Sequence, residues 1–129
     1  MGAGAMGRGK RACPCCGHLV FLEDPPSWEI CRICFWEDDP VQAADPWFVG
    51  GANGPCLAEA QRNYAELGAM ERRFIANVRA PDASDAIDPA WRPLRESDRE
   101  HATSPITIEE AIQRAGTGTP YDYWLRSPR

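Results

Sequence analysis

The most constraining feature of the chain is the spacing of its cysteines. Cys13 and Cys16 are separated by two residues, Cys31 and Cys34 are separated by two residues, and fourteen residues lie between the pairs. The pattern C-x2-C-x14-C-x2-C nearly matches the usual spacing of a tetrathiolate zinc site. Zinc takes four soft ligands in a tetrahedron at about 2.3 Å from each sulfur. A two-residue gap wraps the backbone tightly enough for both thiolates of a pair to reach one ion. Gly17, directly after Cys16, provides the left-handed backbone conformation such a turn requires. Cys13, Cys16, Cys31 and Cys34 are therefore the expected metal ligands, and Zn2+ the expected ion.

Three other readings of the pairs stay open. Cys13–Cys16 and Cys31–Cys34 disulfides satisfy the spacing, and four thiolates also hold an iron–sulfur cluster. A thioredoxin-like redox motif needs a helix after its C-x-x-C, whereas the apolar run Leu19-Val20-Phe21-Leu22 after Cys16 reads as a strand. The compartment bears on the choice. The N-terminal stretch carries Arg8, Lys10 and Arg11 without an apolar core behind them, which is not the pattern of a secretory signal. Met6 breaks a myristoylation motif begun by Gly2. A cytoplasmic location follows as the expectation, and reducing conditions there favour metal ligation over disulfides. No apolar run approaches the roughly eighteen residues of a membrane span.

Composition divides the chain into three. Residues 1–11 form a small-residue basic arm, expected to be disordered. Residues 12–80 hold every cysteine. Residues 81–129, rich in Pro and Asp, read as a linker with a short helical and aromatic tail. With 14 basic against 19 acidic residues the net charge is -5, which argues against bulk electrostatic attachment to nucleic acid. Residues 12–60 are more acidic still, with Arg32 alone against eight carboxylates.

The punctuation predicts a small α+β fold: a zinc-ribbon or knuckle hairpin, then one or two amphipathic helices, with flexible ends. Leu19–Leu22 is expected to pair with the alternating Trp28-Glu29-Ile30. Asn53-Gly54-Pro55 starts a helix with Pro55 in its first position, Leu57, Ala60, Tyr64 and Leu67 recur at helical spacing, and Gly68 ends it. Met70, Phe74, Ile75 and Val78 suggest a second helix before Pro81. Thr107 and Glu110 form a capping-box pattern for a short helix to about Ala115. Tyr121-Asp122-Tyr123-Trp124-Leu125 is aromatic enough to dock back on the body.

The stretch Cys13-Pro14-Cys15-Cys16-Gly17, together with Ile30-Cys31-Arg32-Ile33-Cys34-Phe35-Trp36-Glu37-Asp38-Asp39, resembles the cysteine-rich CPCC domain family of bacteria. The resemblance runs on through Gly51-Ala52-Asn53-Gly54 and Leu57-Ala58-Glu59-Ala60-Gln61-Arg62-Asn63-Tyr64, covering about residues 12–80. Arg32 stands where the family commonly has proline, and Cys56 where a serine is expected to help cap the helix. Neither departure touches the four expected ligands. The resemblance implies a small zinc-binding domain and transfers no catalytic role.

Of the remaining chemistry-bearing residues, Cys15 is an alternate ligand or a bystander. His18 is a neighbour of the site rather than a ligand, and Cys56 a small residue at a helix start rather than a nucleophile. The acidic run Glu37-Asp38-Asp39 with Asp45 lacks the alternation of a calcium loop and reads as a solvated loop beside Trp36, with some carboxylates reaching Gly50–Gly54. That glycine loop lacks the Gly-Lys-Ser/Thr ending of a phosphate cradle. Trp28, Phe35, Trp36, Trp47 and Phe48 read as core rather than as base-stacking surfaces. With no Ser-His-Asp pattern and no open metal position, the expectation is a non-enzymatic recognition module for a protein partner. Nucleic-acid binding through the arm and a thiol-based redox or metal-responsive switch are the alternatives.

Overall fold

The structure, a computed structural model, describes residues 9–102, 107–115 and 120–126. Its first element is a short antiparallel ribbon of β1 (Arg11–Ala12) and β2 (Leu19–Phe21), with Arg11 opposite Phe21 and Ala12 opposite Leu19. The Cys13–Cys16 turn closes this hairpin. Cys13 N–H donates to the His18 carbonyl at 2.9 Å, and Gly17 N–H to the Cys13 carbonyl at 2.7 Å. The second cysteine pair repeats the pattern eighteen residues on: Cys31 N–H donates to the Trp36 carbonyl and Phe35 N–H to the Cys31 carbonyl, both at 2.8 Å. Gly17 at φ +82° and Phe35 at φ +75° occupy the equivalent left-handed position. Glycine takes that conformation freely, and at Gly17 it is needed twice over, because a Cβ there would come within 2.7 Å of the Trp91 ring. Phe35 accepts the strain with its ring stacked 4.3 Å from that of Phe74.

The strand partner therefore differs from the expected one. β2 pairs with residues preceding the first cysteine pair, and Ile30 instead bridges to Glu37 across the second. Each cysteine turn folds its own flanks together, so the local hairpin forms in preference to one spanning both knuckles. Trp28 and Ile30 stay 38% and 49% exposed, and the Glu29 carboxylate accepts the Leu22 and Glu23 N–H groups where β2 ends. Arg11, expected in a disordered arm, is part of the ribbon. Residues 1–8 lie outside the described residues.

Helix α1 (Pro40–Ala44) was not anticipated, although Asp39-Pro40 is a helix-start signal: Asp39 accepts from Val41 N–H at 2.8 Å, and Pro40 needs no N–H in the first turn. Helix α2 (Leu57–Leu67) matches the periodic run. It begins after Pro55 with Cys56 as its cap residue, and ends at Gly68, φ +79°. Leu57 and Ala60 face the core. The second amphipathic run is a 3-10 helix, Arg72–Asn77, rather than an α-helix. Its ends are tied to the second knuckle, Met70 N–H to the Cys34 carbonyl and Arg79 N–H to the Arg32 carbonyl, leaving too short a span for α-helix propagation. Helix α3 (Ile108–Ala115) starts as expected, with Thr107 Oγ1 accepting from Glu110 N–H at 3.1 Å.

The chain beyond Pro81 returns to the ribbon instead of leaving it. Leu19 N–H donates to the Ala86 carbonyl on the far edge of β2, and the Trp91 indole N–H donates to the Pro14 carbonyl at 3.0 Å. Tyr123 and Trp124 are buried in the core beside Phe21, Ile33, Trp36 and Leu57. The boundary expected near residue 80 is thus a change of composition, not an end of packing. Among the described residues, no helix is long and apolar enough to cross a membrane.

Candidate metal centre

The two knuckles meet directly and bring Cys13, Cys16, Cys31 and Cys34 together. All four side chains are buried, and their sulfurs all lie within 4.8 Å of one another. Cys13 Sγ is 3.5 Å from Cys34 Sγ, and Cys16 Sγ is 3.8 Å from Cys31 Sγ. Zinc–sulfur bonds of about 2.3 Å in a tetrahedron put sulfurs about 3.8 Å apart, so the cluster has the dimensions of a tetrathiolate site. These separations far exceed a disulfide bond of about 2.05 Å, and all six cysteines are free.

The electrostatics of the cluster call for a cation. Burial pushes the Cys13 and Cys34 thiols well above their ordinary range, and neighbouring thiols that favour Cys16 as the thiolate hold its value down. Four buried sulfurs cannot all ionise beside one another without a compensating positive charge. A dication at their centre provides it. Ile33 N–H already points at Cys31 Sγ, 3.3 Å away, an arrangement that stabilises thiolate charge.

His18 lies outside the group of four. It is 6% exposed and sits against Cys16, whose sulfur raises the imidazole pKa. Cys56, 8% exposed at the head of α2, makes no capping hydrogen bond with its side chain. Cys15 is buried too, at 2% exposed, and lies outside the group of four; burial raises its thiol pKa.

The acidic run beside the second knuckle is a set of structural ties, not a solvated loop. Asp38 and Asp39 are 1% and 3% exposed. Asp39 caps α1 and accepts Ala52 N–H at 2.7 Å, as the sequence allowed for the glycine loop. Gly51 has no room for a side chain, since a Cβ would lie 2.4 Å from Asp39 Oδ2. Asn53 pins the loop to Glu37 through both of its amide atoms, at 2.8 and 2.9 Å. A loop whose amide faces its own carboxylate does not cradle phosphate. The described basic residues of the arm are likewise engaged: Lys10 pairs with Asp24 at 3.0 Å, and Arg11 with buried Asp38 at 2.9 Å, while Arg8 lies outside the described residues. Of the aromatic residues expected in the core, Trp36 is fully buried, Trp47, Phe48 and Phe35 are half-buried, and Trp28 is exposed.

The family model described as "Cysteine-rich CPCC" matches residues 11–85, more than half of the chain and the whole of both knuckles. The chain belongs to the cysteine-rich CPCC family. A search of curated proteins found no match. The family segment ends before Trp91, Tyr123 and Trp124, so these core residues of the CPCC protein lie outside the part its family model covers.

Proposed function

We propose that this CPCC domain holds one zinc ion through Cys13, Cys16, Cys31 and Cys34 and works as a non-enzymatic recognition module for a protein partner. The observation that carries the metal reading is the convergence of four buried sulfurs, each within 4.8 Å of the others. Bound zinc would cross-link the two knuckles and neutralise their thiolates, contributing folding energy directly. Four protein thiolates complete its coordination, which leaves no position for an activated water and supports a structural rather than a hydrolytic role.

Recognition rests on the surface beside the centre. A cleft of about 410 Å³ opens between α1, the glycine loop and the start of α3, with Trp28, Val41, Phe48 and Ile108 on its walls and no basic side chain. Exposed aromatic and aliphatic groups on its walls suit an apolar partner surface. The engagement of Lys10 and Arg11 in ion pairs weighs against nucleic acid as the partner. Metal analysis of the purified full chain tests the first half of the reading, with about one zinc per chain and no iron expected. For the second half, a partner captured from the native cell by the zinc-loaded protein is expected to be lost with Trp28→Ala and with Ile108→Glu. Capture that survives both substitutions would refute this cleft as the recognition surface.

A further inference from the structure

The hydrogen-bond patterns of the two knuckles align Cys13 with Cys31, and so Pro14 with Arg32 and Gly17 with Phe35. A later part of the chain holds each knuckle at the same two positions. In the second knuckle, the Arg32 carbonyl accepts Arg79 N–H at 3.3 Å, and the ring of Phe74 stacks on left-handed Phe35. In the first, the Pro14 carbonyl accepts the Trp91 indole N–H at 3.0 Å, and the same indole covers left-handed Gly17. Two backbone bonds complete the hold on the first knuckle: Asp88 N–H donates to the Gly17 carbonyl at 3.0 Å, and Leu19 N–H to the Ala86 carbonyl at 2.9 Å.

The two holds differ in how they are anchored. Residues 70–79 lie inside the family segment, and buried Met70 donates its N–H to the Cys34 carbonyl at 2.7 Å. Residues 86–91 follow directly after that segment, and Ala86, Ile87, Pro89 and Ala90 are exposed. This strap is pinned on either side, by Arg79 gripping Asp85 and by Gln61 Oε1 accepting Leu94 N–H. Between the pins, the side chain that packs against the core is that of Trp91.

On the tetrathiolate reading above, we infer that residues 86–91 are the gate of the metal centre. The strap lifts with Trp91, the first knuckle opens, and the ion leaves through it while the second knuckle stays closed. Local opening begins where exposed backbone bonds are backed by few apolar contacts, which describes the strap and not the hold on the second knuckle. Trp91 acts through the backbone of Pro14 and Gly17, so it is a positioning residue.

Zinc release from the full chain to a competing chromogenic chelator tests this. Trp91→Ala is expected to release zinc at least about tenfold faster than the parent. Trp91→Phe, which keeps a ring over Gly17 but has no N–H for Pro14, is expected to fall between them. Under a limiting alkylating agent, zinc-loaded Trp91→Ala is expected to take label on Cys13 and Cys16 before Cys31 and Cys34, whereas a merely destabilising change would label both pairs together. Release at the parent's rate, or label reaching Cys31 and Cys34 as early as the first pair, overturns the gate and leaves the tetrathiolate reading intact. A parent chain that takes up no zinc overturns both. Should Trp91→Ala fail to fold, native-state hydrogen exchange of the zinc-loaded parent decides the matter. The Gly17 and Asp88 amides are expected to exchange before those of Cys31 and Phe35, and simultaneous or reversed exchange contradicts the gate.

Discussion

Asp38 shows how one side chain can join three distant parts of the chain. Its Oδ2 accepts from Arg11 Nη2 at 2.9 Å, from Ser27 N–H at 3.1 Å and from Ser27 Oγ at 2.9 Å, and its Oδ1 from the Tyr121 hydroxyl at 2.7 Å. With the carboxylate 2% exposed and the guanidinium 14%, this is a desolvated pair rather than a surface one. Removing one partner of such a pair leaves the other charge buried and unmatched. Asp38→Ala is expected to destabilise the zinc-loaded protein by about 3–5 kcal/mol, read from urea unfolding monitored by tryptophan fluorescence. The role of Asp38 was not legible in the sequence, where it stands in a run of acids that reads as solvent-facing. Its partners are 27 and 83 residues away, and only the closed fold brings them to it. The metal-ligand pattern was legible for the opposite reason, since a fixed short spacing within each knuckle carries the chemistry.

At the scale of elements, the docked C-terminal turn carries a titration of its own. Tyr123–Leu125 forms a 3-10 turn preceded by Asp122, and Arg126 reaches back to the Ala43 carbonyl at the end of α1, 2.9 Å away. Burial, with the nearby carboxylates of Asp38 and Asp88, raises the Asp122 pKa to about 7, against the opposing pull of Arg11 and Arg126. A folded-state pKa raised above the unfolded one means that the native state holds the proton more tightly. The stabilisation from that protonated carboxyl is complete below the unfolded value of about 4, and it is lost as pH rises through about 7. Zinc ligation runs in the opposite sense, strengthening as thiols deprotonate, so the comparison must isolate the carboxyl. Relative to the parent, Asp122→Asn is expected to gain stability on going from pH 5 to pH 8, measured as paired urea midpoints. No change in the difference between the two proteins across that range would count against this assignment. Asp85 behaves in the ordinary carboxylate sense: Arg79 Nη1 and Nη2 grip it at 2.7 and 2.9 Å and hold its pKa well below the usual range, so its contribution is lost only in strong acid. Among the elements, α2 and α3 were readable because periodicity, Gly68 and the Thr107–Glu110 pair are local signals. The pairing of β2 was not, because its partner Arg11–Ala12 carries no strand pattern of its own and only the cysteine turn brings it alongside.

For the molecule as a whole, the core is completed from beyond the family segment. Gln61 holds that closure together: its Nε2 donates to the Pro14 carbonyl and to the Tyr123 hydroxyl, each at 2.9 Å, and its Oε1 accepts Leu94 N–H at 3.0 Å. Trp124 is 4% exposed in the same core as the knuckle residues. Trp124→Ala is expected to lower the stability of the zinc-loaded protein by about 3–5 kcal/mol without changing its zinc content, because no side chain of that turn belongs to the sulfur cluster. Calorimetry with parallel metal analysis separates the two effects. On the proposed reading an ion at the four sulfurs would organise the rest, since a body this size buries limited apolar surface and gains from a metal cross-link. The most direct test is therefore a thermal melt of the full chain with its metal, after chelation, and after zinc is added back. One ion per chain, a cooperative transition abolished by chelation and its recovery with zinc are the expected results; a chelated, metal-free sample that keeps its full cooperative transition would contradict them.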